Sequence, residues 1–252
     1  MSIANRITKE ASDETLRVFN KSIEFDPAFA VAHARAAFCY VYRKVNGWMI
    51  DRTLEVAEAG RLARRAIDLG RDDAIALSYG GFVIGYVVGD LDDASAFVQR
   101  ALALNSNLAA AWGFSGWLKV CLGDPGTAIK RAALAMRLSP LDPRMFAWQS
   151  YIALAHFCAG RYDEAARWAE LALRDQPNIA PPMRVTAASH ALAGQLAEAQ
   201  QIIKRLRQLD PALRLSNLGD LLPPFRRGVE GGTSGMTVAT STCGTSETCR
   251  EG

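Results

Sequence analysis

The sequence predicts an all-α chain in which antiparallel helix pairs stack into a right-handed superhelical solenoid, and three recurrences in it carry that prediction. A phrase that closes a helix returns as SIEFDPAFA from Ser22, AIDLGRDDA from Ala66, ALALNSNLA from Ala101, AMRLSPLDP from Ala135, LALRDQPNI from Leu171 and LRQLDPALR from Leu206. Its proline, or the residue standing for it, falls at Pro27, Arg71, Ser106, Pro140, Pro177 and Pro211, at intervals of 44, 35, 34, 37 and 34 residues. Small residues keep the same phase: Ala59, Ala94, Ala128, Ala165 and Ala199 form one series, and Ser22, Ala66, Ala101, Ala135 and Ala172 a second. A glycine turn precedes the second helix of four pairs, as GDLDDA ending at Ala94, GDPGTA at Ala128, GRYDEA at Ala165 and GQLAEA at Ala199. Glycine there accepts the left-handed conformation that stops one helix before the next begins.

Residues 1–9 are expected to be a flexible N-terminus and 10–222 the repeat domain. The first element, from about residue 10 to 25, reads as the second helix of a pair, with Thr15, Phe19 and Ser22 at the repeat positions and no first helix ahead of it. A solenoid unit cannot bury its apolar face alone, so this helix is expected to continue something longer, or to be paired by another molecule, self-association included. The next pair is longer than the rest, as its interval of 44 shows, and the excess lies in 44–53 (KVNGWMIDRT). Asn46-Gly47 is a turn signal there, which predicts a lengthened hairpin. Trp48 and Met49, large and apolar, are expected to fold back on the N-terminal end of the stack.

Three regular pairs and a fifth follow. Leu213, Leu215, Leu218, Leu221 and Leu222 then predict a short capping segment stopped by Pro223 and Pro224. From Gly228 the chain turns to Gly, Thr and Ser without period, and 223–252 is expected to be a disordered tail.

The 34-residue period of two antiparallel helices resembles the tetratricopeptide repeat (TPR). Trp112, Gly116 and Lys119 stand where that repeat's consensus has Trp, Gly and Tyr, and the other pairs keep only a small residue at the middle place, as Ala37, Gly81, Ala153 and Ala187. Longer phrases go further. The runs KVNGWMID ending at Asp51, GDLDDASAFVQRALALNSNLAAAW ending at Trp112, RLSPLDP ending at Pro143, AHFCAGRYDEAARWAELAL ending at Leu173 and LRQLDPALRLSNLGDL ending at Leu221 resemble the C-terminal repeat region of bacterial multidomain class III adenylate/guanylate cyclases. That resemblance implies a regulatory or partner-binding region whose partner is a cyclase catalytic domain. No mixed α/β segment is present to carry the paired metal-binding aspartates, so no active-site residue transfers and no enzymatic activity is expected of the chain.

Composition narrows the rest. Charged residues at 22% beside 50% hydrophobic ones, with a net charge of +3, are those of a folded soluble protein and not of a polybasic nucleic-acid binder. The first fifteen residues lack the apolar stretch of a signal peptide, which makes the cytoplasm the expected compartment, and the most apolar run, 82–88, is far short of a membrane span. Cys39, Cys121 and Cys158 sit among apolar helical residues as small buried hydrophobes, while Cys243 and Cys249 match no zinc spacing. His33, His156 and His190 form no motif with a nucleophile or carboxylate; His156 and His190 hold equivalent places in successive pairs and are expected to be polar members of helix packing. The glycines at 80, 81, 85 and 89 lack the lysine-serine of a phosphate loop and suit close helix packing. No cofactor or metal is expected.

In the tetratricopeptide family the concave face is lined by the first helix of each unit. Its mapped places here are Phe38, Phe82, Trp117, Leu154 and Ala188, joined by Val41, Val120 and Phe157 one turn on. The groove expected to bind a partner, at Phe38, Phe82, Trp117, Leu154 and Phe157, is therefore apolar and partly aromatic; in a tightly wound array some of these side chains are core instead. It lacks the lysine and asparagine with which some such grooves clamp a terminal carboxylate. An amphipathic helix, an extended apolar segment or a neighbouring domain suits it.

Overall fold

The computed structural model describes residues 7–226. Its helices are α1 (Lys9–Phe25), α2 (Ala30–Val45), α3 (Arg52–Leu69), α4 (Ala74–Val83), α5 (Leu91–Leu104), α6 (Ala109–Cys121), α7 (Pro125–Leu138), α8 (Met145–Cys158), α9 (Tyr162–Asp175), α10 (Ala180–Leu192), α11 (Leu196–Leu209) and the short α12 (Leu215–Leu221). The pairs α2/α3, α4/α5, α6/α7, α8/α9 and α10/α11 are the five predicted units, and α1 packs on α2 as the second helix of a pair whose first helix is not among the described residues. The expected flexible N-terminus falls mostly on residues 1–6, outside the described ones. Of the expected tail, 227–252 likewise lie outside, whereas 223–226 are described and packed.

Local chemistry sets the helix ends. The side chains of Thr8, Asp51, Asp73, Asp90 and Asp124 accept hydrogen bonds from the first-turn amides of α1, α3, α4, α5 and α7, the usual work of an N-cap. Gly89, Gly123, Gly160 and Gly194 end the first helices of their pairs at φ of 99°, 85°, 72° and 80°, the left-handed conformation the sequence requires of them. α4 does not stop at Val83. It widens into a π turn over Ile84–Val88 before Gly89 ends it.

Packing follows the two small-residue series. Ala59, Ala94, Ala128, Ala165 and Ala199 are buried, as are Ala66, Ala101, Ala135 and Ala172, so adjacent helices meet over methyl groups. The second helices keep a charged outer face. The first helices are apolar on nearly every side, and α6 and α8 bury Phe114, Trp117, Trp148, Ile152 and Phe157 almost completely.

The extra residues of the first pair close the superhelix. Asn46 Oδ1 accepts from the Ala180 amide at 3.3 Å, Arg52 pairs with Asp220, and Gly47 (φ 70°) lies so near Asp210 that a β-carbon would come within 2.7 Å of its carboxylate. Ile7, ahead of α1, packs with Phe146 and Ile179 of the fourth and fifth units. Trp48 and Met49 are both half-buried: Met49 joins the main core and Trp48 sits beside α1. Ile50 projects outward.

Gly113 tests this packing, because the buried Trp148 ring presses on its backbone where a β-carbon would overlap ring atoms. Gly113→Ala is expected to lower stability by about 1–3 kcal/mol in urea unfolding, the usual cost of overpacking. Gly126→Ala, at the start of α7 with open space around it, should instead raise stability by about 0.4–1 kcal/mol through the unfolded chain.

Candidate interaction surface on the inner face

The five side chains expected to line an open groove occupy three different settings. Phe38, Phe82 and Trp117 meet in one aromatic cluster with Tyr79, Tyr86, Phe114, Trp148 and Tyr151. Phe82 stacks on Phe114 at 4.2 Å, Tyr86 stacks on Trp117 at 4.6 Å, and Phe38 reaches Phe114 across an intervening unit at 5.8 Å. Leu154 faces the C-terminal segment of the chain, and Phe157 meets Tyr162 at 5.6 Å at the turn of its own pair. Phe82, Trp117, Leu154 and Phe157 are buried and Phe38 is half-buried. The open groove is thereby corrected: the winding is tight enough for rings from α2, α4, α6 and α8 to touch, and the inner face is core.

What remains of the groove is occupied by the chain itself. From Leu221, the last residue of α12, residues 221–226 cross the inner face as a strap, with one tight turn in which the Phe225 amide donates to the Pro223 carbonyl at 2.9 Å. Leu222 is buried, and Leu221, Leu222 and Pro223 share with Tyr86, Trp117, Leu154 and Val185 the walls of a small cavity of about 40 Å³. Pro224 lies against Gly89, Phe225 is half-buried on the core, the Arg226 amide donates to the Cys121 carbonyl at 2.9 Å, and the Arg226 guanidinium pairs with Asp92. The strap thus passes from the fifth unit back to the second and third. Leucines ahead of two prolines signalled a cap in the sequence; the placement of Phe225 and Arg226 depends on tertiary contacts the repeat pattern does not encode.

Two buried cations hold this region. Arg184 of α10 donates to the Val45 carbonyl at 2.6 Å and to the Leu221 carbonyl at 3.2 Å, tying the first unit to the strap. Burial pulls its guanidinium down to about 10. Lys44 donates to the carbonyls of Tyr86 and Val87 at 2.8 and 3.3 Å, and burial, helped by the charge of Arg52 and opposed by that of Asp220, pulls its amine down to about 8. Both were legible only as a cation inside an apolar helix, in YRKV and MRVT.

The histidines stay apart. His156 Nδ1 accepts from Arg161 at 2.9 Å, and His190 lies between Gln195 and Glu170. Among the described residues no group of three His, Cys, Asp or Glu side chains is placed to hold a metal, and no helix is long and apolar enough to cross a membrane. Burial pushes the thiols of Cys39 and Cys158 up to about 12 and that of Cys121 well above its ordinary value, which leaves them inert as nucleophiles.

The fold is that of the tetratricopeptide solenoids. A thermophilic TPR protein of Thermus thermophilus, TTC0263, superposes with a TM-score of 0.55 over 67% of this chain and 92% of its own, at 17% identity. The type IV pilus biogenesis factor PilW superposes with 0.57 over 79% of this chain and 87% of its own, at 17% identity. The APC/C hetero-tetramer Cut9-Hcn1 superposes with 0.65 over 84% of this chain, at 18% identity, and this chain spans 39% of the length of the chain it matches there. No family model matches the sequence, and no curated protein matches it.

The Lys44 amine gives the fold a pH dependence of known sign. Between about 8 and its ordinary 10.5 the unfolded chain keeps a proton that the folded chain has released, so this group makes stability rise with pH across that window. Buried thiols act in the opposite sense, so the readout is a difference. Relative to Lys44→Met, the wild-type urea midpoint should climb from pH 8 to pH 10; parallel midpoints for the two proteins would contradict the assignment.

Proposed function

We propose that the chain is a cytoplasmic, non-catalytic protein–protein interaction module that takes an extended apolar segment in the place of its C-terminal strap, against Trp117 and Leu154. The observation that carries this reading is the strap: the inner face already holds a Leu-Leu-Pro-Pro-Phe-Arg segment by apolar burial, one backbone hydrogen bond and one ion pair. These are the means by which grooves of this kind hold a partner. The tetratricopeptide fold supports the same class of work. A partner segment of like chemistry gains access to Trp117 and Leu154 by displacing the strap. The outward face of α1, where Val18 and Phe25 are exposed, offers a second contact for a further helix or a second copy of the chain.

The long phrases resembling the repeat region of class III cyclases support a second reading, in which the partner is a cyclase catalytic domain. Its test is a change in that domain's turnover on addition of this chain.

For the groove, a fluorescent peptide of residues 218–226 is titrated into the intact chain and into a double variant, Leu222→Asp with Phe225→Ala, that weakens the strap. The weakened chain is expected to bind the peptide at least about tenfold more tightly, the ratio set by how fully the strap closes the site. Trp117→Ala on that background should remove the binding. A weakened chain that stays folded and ignores the peptide would sink the groove reading.

A further inference from the structure

Away from the strap, a cavity of about 580 Å³ opens between α1 and α2 beneath the loop that joins α7 to α8. Its walls are mostly apolar, with Phe19, Phe38, Tyr42, Trp48 and Leu141 prominent, and its volume is that of a pocket for a small organic ligand. Three charged side chains reach it. Arg144 and Asp142 satisfy each other: Arg144 Nε and Nη2 donate to the two Asp142 oxygens at 3.0 and 2.8 Å, the Arg144 amide donates to Oδ1 at 2.9 Å, and Nη1 donates to the Tyr79 hydroxyl. The Asp142 carboxylate is thereby taken.

Arg35 has no such partner. Its guanidinium lies over the Tyr79 ring, with Cζ 3.9 Å from the centroid, and among the described residues it makes no side-chain hydrogen bond and no ion pair. Burial lowers its pKa, against the raising influence of Tyr42 and Asp142 nearby. A half-buried guanidinium on an apolar cavity presents a planar fork of donors that a carboxylate fills with two parallel hydrogen bonds. The charges set the valence. Arg35, Arg144 and Asp142 sum to one positive charge, which a monoanion neutralises; the second charge of a phosphate would face Asp142.

We propose that this cavity binds a monocarboxylate with an apolar, ring-bearing body, its carboxylate forked on Arg35 over Tyr79 and its body against Phe19, Phe38 and Leu141. The carboxylate belongs either to a free organic acid or to the terminus of a peptide, and the chemistry at Arg35 is the same for both. This site lies on the N-terminal side of the aromatic cluster and stands or falls separately from the groove.

The test is calorimetric titration of the full chain with 4-phenylbutyrate, with N-acetyl-Leu-Phe bearing a free carboxylate, with the amide of each, and with inorganic phosphate. At least one carboxylate should bind with 1:1 stoichiometry, and its amide at least about tenfold more weakly, since the charge-assisted fork is lost. The stronger of the two carboxylates names the source: phenylbutyrate a free acid, the dipeptide a chain terminus. Arg35→Gln should cost the carboxylate at least about tenfold in affinity. Leu141→Asp, at a side chain 95% exposed on the cavity rim, should weaken the carboxylate by repulsion and leave the unfolding midpoint unchanged, so the site is tested even if Arg35→Gln fails to fold. Failure of both carboxylates, amides that bind equally well, phosphate that binds best, or a carboxylate indifferent to Leu141→Asp would each overturn the proposal.

Discussion

The arrangement of the inner face depends on how the C-terminal carbonyls of its helices are satisfied. A helix leaves its last carbonyls without intrahelical donors and concentrates negative partial charge there. In a solenoid the first helices of successive units run side by side, so these ends gather along one edge. Arg184 bonds the carbonyl of Val45, the last residue of α2, and that of Leu221, the last of α12. Lys44 bonds the last carbonyls of the π turn that extends α4, and the Arg226 amide bonds that of Cys121, the last residue of α6. Two of the donors are buried cations with no carboxylate in contact. Helix ends take the place of counter-ions, which is why these charges survive burial with pKa values lowered but the proton still held at neutral pH.

Closure along that edge has a steric counterpart. Methyl-sized contacts at Ala59, Ala94, Ala128, Ala165 and Ala199 bring the helices of each pair together, and Gly113 admits the Trp148 ring. With the units this close, side chains that would line an open concave surface reach one another. Phe38, Tyr79, Phe82 and Phe114 form edge and stacked contacts across three units. Residues 44–53, which carry the excess of the first unit, reach the fifth unit through Asn46 and α12 through Arg52, and so keep the winding from relaxing.

The repeat was legible because its determinants are local. The small residues, the turn glycines and the aspartate caps each act within a few positions, so period and phase located α1 through α11. The lengthened first hairpin was legible from one long interval and Asn46-Gly47. Curvature was not. It arises from contacts between residues far apart, such as Asn46 with Ala180 and Arg184 with Val45, and repeat phase assigns Phe82 and Trp117 to the inner face without saying whether that face is surface or core. Phe157 shows a second limit, since a one-turn offset along α8 takes it from the ring cluster to Tyr162. Arg35 was hidden for a third reason: the lack of a direct ion-pair partner is a property of the space around a residue, and α1 and the loop carrying Asp142 form that space only after folding.

A strap tethered to its own groove competes with any partner on favourable terms. Its linkage confers an effective local concentration of about millimolar order, which a free segment must exceed through intrinsic affinity. If the strap is released in about one molecule in a hundred, a partner's apparent affinity falls by the same hundredfold. The strap contacts are modest individually: Arg226 with Asp92 is largely exposed, and an exposed ion pair contributes at most about 1 kcal/mol. Leu222 and the Arg184 bond to Leu221 are the buried part and set most of the closing free energy. Since Arg184 also holds Val45, displacement of the strap leaves that guanidinium with its first-unit partner and a donor free for the incoming backbone. On the proposed reading, the cation that closes the superhelix is therefore also a contact for whatever replaces the strap.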